Sequence, residues 1–441
     1  MLAELLLACP LLLAQAPAAP SSAPPTDDEL RAALADAVDL LEPMARRNAA
    51  NALAARKDVP LERWLELARA FGRFEPQKGG FRKEHATLRV LDADEETDLH
   101  LYVPASYDPA KSAPLMLAFH GTGGSGDQAV PFWKEAADAL GMLVLGPSEA
   151  GKNEGYAFSA RERAAALAAL RWMRRRFDVD EDRVFATGIS RGGHLAWDLA
   201  LRLPDRWAAI APMIGSPRFN LTNGQNNLRF LENVVALPIR DLQGSKDDPG
   251  VLTNLHEAFA KLAAWKASDA QLIEFQDRGH DFDFAAVDWK AWLGAARRAP
   301  VPKRVVRMAC ETGEARSAWV QVTGLAKDVV LDLQPTVSVS AWKAMDEKAK
   351  RAFLQREIDK HTARIEVSMT APGSFAAKGT LVTSFRLLLT REMFDPAKPV
   401  VVTWNGRKVE KRARPDAKVL LQEFVERFDR SFLPVAVVDV P

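Results

Sequence analysis

The most diagnostic feature of this sequence is the stretch RVFATGISRGGHLAWDLA, residues 183–200. Its first residues have the apolar character of a strand, and its last residues follow the pattern of a helix. A G-x-S-x-G motif lies between them, with Ser190 at its centre. A strand-to-helix turn this tight crowds the backbone, and Gly188, Gly192 and Gly193 supply the small residues that it needs. The stretch predicts an exposed serine hydroxyl above a sheet, at the N-terminus of a helix.

Strand and helix patterns alternate on both sides of this turn. A hairpin is predicted first, with strands at 85–92 and 97–104 and an acidic turn at 94–96. Short apolar strands separated by amphipathic helices indicate a mostly parallel sheet covered on both faces. We therefore predict an α/β domain over residues 81–298. Its further strands are expected at 115–119, 142–145, 184–187, 207–214, 237–242 and 270–275.

A base and an acid for Ser190 follow it in the chain. A neutral hydroxyl is a poor nucleophile, so it needs a neighbouring base. His280 lies in a loop after the strand at 270–275 and is the candidate base. Asp247 and Asp248 follow the strand at 237–242, and either carboxylate could orient the imidazole. We favour Asp247 as the acid and expect Asp248 to cap the helix that starts at Pro249.

The loop after the strand at 115–119 is the candidate oxyanion loop. It reads His120-Gly121-Thr122-Gly123-Gly124. Acyl transfer needs N–H donors directed at the developing oxyanion. We expect the backbone N–H groups of Thr122, Gly123 and Arg191 to supply them. His120 precedes the serine in the chain, which is the wrong order for the base, so we assign it a role in shaping the loop.

These motifs resemble the α/β-hydrolase superfamily over roughly half of the chain. Residues 179–193 are similar to the branch of polyhydroxybutyrate depolymerases, feruloyl esterases and phospholipase/carboxylesterases. The resemblance implies metal-free Ser–His–Asp hydrolysis of carboxylic esters, soluble or polymeric, with no cofactor. It does not imply one substrate, because this fold hosts many activities. The short segment between 214 and 237 leaves too little chain for a large lid domain.

The flanking regions have a different character. Residues 19–80 read as an Ala/Pro/Ser linker followed by helices, and 299–302 reads as a second linker across which few contacts are expected. Residues 303–441 predict a β-rich accessory domain of unknown role. Its strands are expected at 305–309, 318–322, 329–333, 364–369, 385–389 and 400–404, a hairpin turn at Asn405-Gly406, and helices at 341–361 and 417–428.

The N-terminus has the pattern of an export signal. Its apolar run at 5–13 is too short to span a bilayer, and Ala16-Pro17-Ala18 resembles a cleavage site, so we expect a signal peptide at 1–18. The n-region lacks Lys and Arg and contains Glu4, which departs from the usual pattern. We predict a periplasmic or extracellular protein. The residues up to Cys9 resemble a lipoprotein box, which would place a lipid on that cysteine.

Composition narrows the alternatives. The net charge of +1 gives no general field for nucleic acid, and two cysteines with seven scattered histidines favour no metal site. The basic run at 171–176 is expected to be a solvated helix face. Nothing in the sequence indicates an oligomeric state. Two other functions stay open: a peptidase of the prolyl-oligopeptidase type, which shares this core and triad order, and a non-catalytic binding protein on a relic hydrolase core.

Overall fold

A computed structural model describes residues 24–148, 155–220, 225–267, 269–334 and 336–441. The predicted signal peptide at 1–18, with Cys9, lies outside these ranges. The described chain begins with three helices, α1 (Asp27–Asp39), α2 (Pro43–Ala54) and α3 (Leu61–Arg69). No helix among the described residues combines the length and the apolar character that crossing a membrane requires.

An eight-stranded sheet forms the centre of the molecule. Its strands lie in the order β1-β2-β4-β3-β5-β6-β7-β8, and all neighbours from β4 onward are parallel. This confirms the predicted mostly parallel α/β sheet. The strands are β1 (Gly80–Val90), β2 (Ala93–Val103), β3 (Ala113–Phe119), β4 (Leu143–Pro147), β5 (Val179–Ile189), β6 (Ala209–Met213), β7 (Ile239–Gly244) and β8 (Ala270–Phe275).

The first hairpin is longer than predicted, and its turn lies elsewhere. Strands β1 and β2 pair from Gly80 with Val103 to Val90 with Ala93, so the turn is Leu91-Asp92. The acidic residues at 94–96, predicted as the turn, belong to β2 instead. Leu91 takes a positive φ of 55°, a turn conformation that the composition of the segment does not reveal.

Helices cover both faces of the sheet. Two apolar clusters lie on its opposite faces, one with residues of α6, α7 and α8 and the other with residues of α5 and α9. The helical segment between β3 and β4 is interrupted, because a 3₁₀ turn at Val130–Trp133 contains Pro131. The helices are α4 (Gly126–Ala129), α5 (Lys134–Leu140), α6 (Ala160–Arg176), α7 (Arg191–Arg202), α8 (Pro249–Ala264) and α9 (Trp289–Ala295).

Two sheets make up the region after residue 303. The first has the order β10-β11-β14-β17 and the second the order β16-β15-β13-β12-β9, with a shared apolar cluster. The elements are β9 (Arg304–Ala309), β10 (Arg316–Ser317), β11 (Val320–Leu325), α10 (Val339–Ala344), α11 (Glu347–Lys360), β12 (Ala363–Ala371), β13 (Ser374–Thr380), β14 (Val382–Leu389), β15 (Val400–Trp404), β16 (Arg407–Lys411), α12 (Ala417–Arg427) and β17 (Ala436–Val440).

Three details of this region differ from the sequence-based expectation. The segment at 329–333 is not a strand, although it packs its apolar side chains against the hydrolase core. The helix expected at 341–361 is two helices, because Asp346 caps a new one after Met345 takes an extended conformation. Strand β13 was not predicted, because Phe375 is its only large apolar residue; the two-residue β10 and the edge strand β17 were not predicted either.

The expectation that few contacts cross residues 299–302 is wrong. The buried guanidinium of Arg298 forms an ion pair of 2.6 Å with Asp429. Arg163 of α6 pairs with Glu314 at 2.9 Å. Helices α1 to α3 also share an apolar cluster with α12. The regions before and after the hydrolase core are therefore packed on it and on each other.

Candidate active site

Ser190 stands between β5 and α7 in a strained conformation. Its backbone has φ 57° and ψ −111°, a region that non-glycine residues rarely adopt. The turn is held because the N–H of Ser190 donates to the carbonyl of Met213 at 2.8 Å, and the N–H of His194 donates to the carbonyl of Ser190 at 3.0 Å. The sharp strand–turn–helix predicted from the sequence is confirmed.

Two glycines are required by close backbone approaches around Ser190. A Cβ on Gly188 would lie 2.2 Å from the carbonyl oxygen of Gly192. A Cβ on Gly192 would lie 2.2 Å from the carbonyl oxygen of Phe119, the last residue of β3. Because these atoms belong to the backbone, a larger residue would displace β3 or the turn itself. The glycines thereby bring the end of β3 and its following loop beside Ser190.

His280 joins Ser190 to Asp247. Its Nε2 lies 2.8 Å from the Ser190 Oγ, and its Nδ1 lies 2.8 Å from Asp247 Oδ2. The imidazole is half-exposed at 53%, whereas the Asp247 side chain is 8% exposed. An accessible base with a shielded acid behind it is the arrangement needed to accept a proton from a serine hydroxyl.

Adjacent strands explain why Asp247 and His280 meet. The loops that carry them follow β7 and β8, which are parallel neighbours. The two loops are joined because the N–H of Lys246 donates to the carbonyl of Arg278 at 2.7 Å. Asp248 instead accepts hydrogen bonds from the first turn of α8, so its predicted capping role is confirmed.

Gln243 is a supporting residue that the sequence analysis missed. Its buried Nε2 donates to Asp247 Oδ2 at 2.6 Å, the same oxygen that faces His280. Asp247 Oδ1 accepts from the N–H of Asp248 at 2.7 Å. An amide side chain four positions before the acid, next to the glycine that ends β7, is the signal that could have revealed it.

The electrostatics favour an ionised acid. Burial opposes the charge of Asp247, but hydrogen bonds from the Asp248 N–H, His280 and Gln243 outweigh it and lower the pKa of the carboxyl. Asp247 therefore offers a charged acceptor to Nδ1 of His280. Burial lowers the pKa of two other histidines nearby, His120 and His194.

The candidate oxyanion loop begins beside the nucleophile. A Cβ placed on Gly121 would lie 3.7 Å from the Ser190 Cβ. The N–H of Gly124 donates to the carbonyl of Gly121 at 3.1 Å, which forms a turn with Thr122 and Gly123 at its exposed tip. Gly123 takes a positive φ of 72°. The third predicted donor, the N–H of Arg191, lies in the first turn of α7, directly after Ser190.

The side chain of Arg191 has a structural role. It is buried, and its guanidinium donates to Glu162 at 2.8 Å and to the carbonyl of Gly155 at 2.8 Å. Glu162 also accepts from the N–H groups of Ala157 and Ser159 at the start of α6. The side chain thus fastens α7 to α6 and to the segment that precedes it.

A second buried group stabilises the same rim of the site. Asp198 of α7 accepts hydrogen bonds from Tyr156 at 2.7 Å, Arg163 at 2.9 Å and Asn227 at 2.9 Å. Tyr156 lies in the loop before α6, Arg163 lies in α6, and Asn227 lies in a second loop. A single carboxylate thus holds one helix and two loops against α7. The sequence offered no pattern for this, because the partners lie up to 42 positions from Asp198.

Aromatic side chains follow His280 along the chain and contact a ring from the segment between β3 and β4. Phe282 and Phe284 contact Phe132, with ring centroids 5.9 Å and 5.5 Å apart. Phe132 is 41% exposed, which is unusual for a large apolar side chain. These rings form an open aromatic surface that begins at Phe282, two positions after His280 in the sequence. Within the part of the chain that the structure describes, no group of three or more His, Cys, Asp or Glu side chains is placed to hold a metal ion.

Comparisons with known proteins identify esterases as relatives. XynS20E of Neocallimastix patriciarum, a bifunctional acetylxylan esterase/xylanase, is 24% identical over 172 residues, which are 37% of this chain and 24% of that protein. Feruloyl esterase C of Emericella nidulans is 27% identical over 174 residues, which are 37% of this chain and 64% of that protein. The chain thus spans less than two thirds of the length of either relative. No protein-family model matches the chain.

One solved structure that is similar to part of the chain is LpqC, a poly(3-hydroxybutyrate) depolymerase from Bordetella parapertussis. It is 20% identical, with a TM-score of 0.38, and the similarity covers 50% of this chain and 91% of that one. The two relatives confirm the predicted resemblance to the α/β-hydrolase branch that contains feruloyl esterases.

Proposed function

We propose that this protein is a serine hydrolase that cleaves carboxylic esters through an acyl-enzyme on Ser190. The supporting observation is the continuous path from Ser190 Oγ to His280 Nε2 and from His280 Nδ1 to Asp247, with both contacts at 2.8 Å. A relic core under no catalytic constraint has no reason to keep both contacts together with a strained serine.

The chemistry follows from this path. Nε2 of His280 accepts the hydroxyl proton while Ser190 Oγ bonds to the ester carbonyl carbon. The tetrahedral oxyanion is held by the N–H groups of Thr122, Gly123 and Arg191. Collapse breaks the bond to the alcohol oxygen, which takes the proton from His280. Water then repeats the sequence on the acyl-enzyme, releasing the carboxylic acid and restoring Ser190. Asp247 stays ionised throughout and stabilises the imidazolium.

The open aromatic surface favours an ester with an aromatic acyl group. Phe132 offers an exposed ring beside the loop of His280, and stacking on such a ring stabilises a planar aromatic acid more than an acetyl group. The names of the relatives include both substrate types, feruloyl and acetylxylan esters. We further propose that the protein is exported, that residues 81–298 carry the reaction, and that 303–441 form an accessory unit.

The test uses the full chain and a fluorophosphonate probe, which reacts only with an activated serine. We expect the wild-type protein and Ser112→Ala to be labelled and Ser190→Ala to be unlabelled. Ser112, which directly precedes β3, is the matched control, because its hydroxyl donates a hydrogen bond to Asp178 and not to a histidine. Absence of labelling in the wild-type protein would refute the proposal in favour of the relic binding protein.

Substrate comparison separates the remaining alternatives. Methyl ferulate, p-nitrophenyl acetate and a peptide p-nitroanilide are compared by kcat/KM. We expect both esters to be cleaved and the anilide to be resistant. Phe132→Ala should lower kcat/KM for methyl ferulate more than for p-nitrophenyl acetate. Faster cleavage of the anilide would identify a peptidase. An equal loss on both esters would contradict the aromatic acyl site and leave the esterase mechanism intact.

A further inference from the structure

A basic cavity lies on the outer side of α6, away from the triad. Its volume is about 450 Å³, and it is enclosed by α6, β1, the turn between α1 and α2, and the end of α12. Eight of its lining residues are arginines, whereas only Asp39 and Glu426 are acidic. The expectation of a solvated face at 171–176 is wrong for its centre, because Arg174 is 4% exposed.

Four of these arginines lack a carboxylate partner. Arg89, Arg174, Arg175 and Arg427 each pair with an Asp or Glu. Among the described residues, no carboxylate oxygen lies within 4.0 Å of the other four guanidinium groups. These four are Arg46, Arg171, Arg176 and Arg206.

Backbone carbonyls occupy part of their hydrogen-bonding capacity. Arg46 donates to the carbonyls of residues 40 and 41, just after α1. Arg171 binds the carbonyls of residues 38 and 426, and Arg206 binds that of residue 427, at the ends of α1 and α12. Arg176 binds only a carbonyl of its own helix. Arg46, Arg171 and Arg206 therefore face the negative ends of two helix dipoles, and Arg176 does not.

The helix ends do not balance this charge. Each helix C-terminus carries about half a negative charge, so the two ends supply about −1 against four uncompensated arginines. The exposed carboxylate of Glu426 brings the remainder to about +2. Burial, and next the charge of Arg46, lower the pKa of Arg171 to about 9. Burial also lowers the pKa of Arg46 and Arg206. The four guanidinium groups together thus carry more positive charge than their surroundings neutralise.

Unsatisfied donors accompany the excess charge. The buried Nε atoms of Arg46, Arg89, Arg174 and Arg206 have no hydrogen-bond acceptor among the described residues. A buried unpaired donor is costly, and its usual partner is an acceptor that the protein alone does not provide. Guanidinium groups bind phosphate oxygens with two parallel hydrogen bonds, which suits them to oxyanions.

We propose that this cavity binds a phosphate-type oxyanion, either free in solution or in the headgroup of an anionic lipid. The exposed side chains of Leu40, Leu41 and Leu91 line the same cavity, which adds an apolar rim to its basic interior. None of the lining residues belongs to the triad or the oxyanion loop. The site is therefore independent of the proposed ester hydrolysis and does not require it.

The first test is calorimetric titration of the full chain with inorganic phosphate and pyrophosphate at constant ionic strength. Arg171→Gln should weaken binding at least about tenfold, because one lost charged hydrogen bond is worth that factor. Arg176→Gln should weaken it about threefold, whereas Glu426→Gln should strengthen it. Arg407→Gln is the matched control, because this exposed arginine lies on β16, and it should leave binding unchanged.

The second test separates the sources of the oxyanion. The protein is sedimented with vesicles of phosphatidylcholine alone or with about 30% phosphatidylglycerol. Binding only to the anionic vesicles, reduced by the same substitutions, would identify a lipid headgroup; phosphate binding without sedimentation would identify a free ligand. If Arg171→Gln does not fold, the proposal is tested by the other two variants: Arg176→Gln should weaken oxyanion binding, and Glu426→Gln should strengthen it. Absence of binding in both tests, or equal affinity in all variants, would overturn the proposal.

Discussion

Replacing Asp247 by asparagine tests the proposed acid with almost no change in shape. The carboxylate accepts three hydrogen bonds, from His280 and Gln243 on Oδ2 and from the N–H of Asp248 on Oδ1. An asparagine has one carbonyl oxygen for these three donors. With its carbonyl toward His280, the amide N–H₂ opposes the N–H of Asp248; with the reverse orientation, it opposes His280 and Gln243.

The orientation in which the amide N–H₂ faces His280 is the more harmful one for catalysis. Facing an N–H₂ group, Nδ1 of His280 becomes an acceptor, and the ring proton moves to Nε2, where it opposes Ser190. The base is then in the wrong tautomer, an effect that reaches about 10⁴-fold in kcat for a comparable triad. At about 1.4 kcal/mol per tenfold, we expect Asp247→Asn to raise the activation barrier by about 4 to 5.5 kcal/mol, a 10³- to 10⁴-fold loss.

Asp248→Asn is the matched control for this prediction. Asn caps a helix as well as Asp, so α8 should keep its start, and activity should remain within about threefold of the wild type. The assay is kcat with p-nitrophenyl acetate, accompanied by a circular-dichroism melt to show that both variants fold. A loss below tenfold in Asp247→Asn, or a larger loss in Asp248→Asn, would refute the assignment of the acid.

Three further predictions concern stability. Burial raises the pKa of Asp241 well above its usual value, so its protonated form is stabilised and the folded protein loses stability as the pH rises above about 4. Asp241→Asn keeps the hydrogen bond from Trp197, and its melting temperature should exceed that of the wild type by a margin that grows as the pH rises; a margin that does not change with pH would contradict this. Hydrogen bonds from Arg304 and Arg364 lower the pKa of Glu366 to about 2. In urea melts the wild type should therefore be more stable than Glu366→Gln above about pH 4.3, and this difference in stability should vanish towards pH 2. A difference that does not change with pH would be the opposing result. A chain ending at Arg298 should be insoluble or melt without cooperativity, because it lacks Asp429, one of the two carboxylate partners of the buried Arg298, and the apolar side chains after residue 303 that pack against the hydrolase core; a soluble, active fragment would show the contrary.

The local features of the hydrolase core could be predicted from the sequence. The strand–turn–helix around Ser190 depends on contacts within a few residues, where only glycines avoid the backbone of β3 and of the turn. The order of serine, acid and base follows from strands recognised by their apolar runs. Asp248 could be separated from Asp247 because a helix cap before Pro249 is itself a local pattern.

Long-range partners could not be predicted in the same way. Gln243 supports Asp247 only because β7 and β8 are neighbours, and Asp198 binds residues of three segments that no spacing connects. The basic run on α6 meets the ends of α1 and α12, the latter about 250 positions later in the chain. Arginine charge has no periodic signature of its own; whether a guanidinium faces water, a carboxylate or a helix end depends on which surfaces pack together, and that packing is set by apolar burial elsewhere in the molecule.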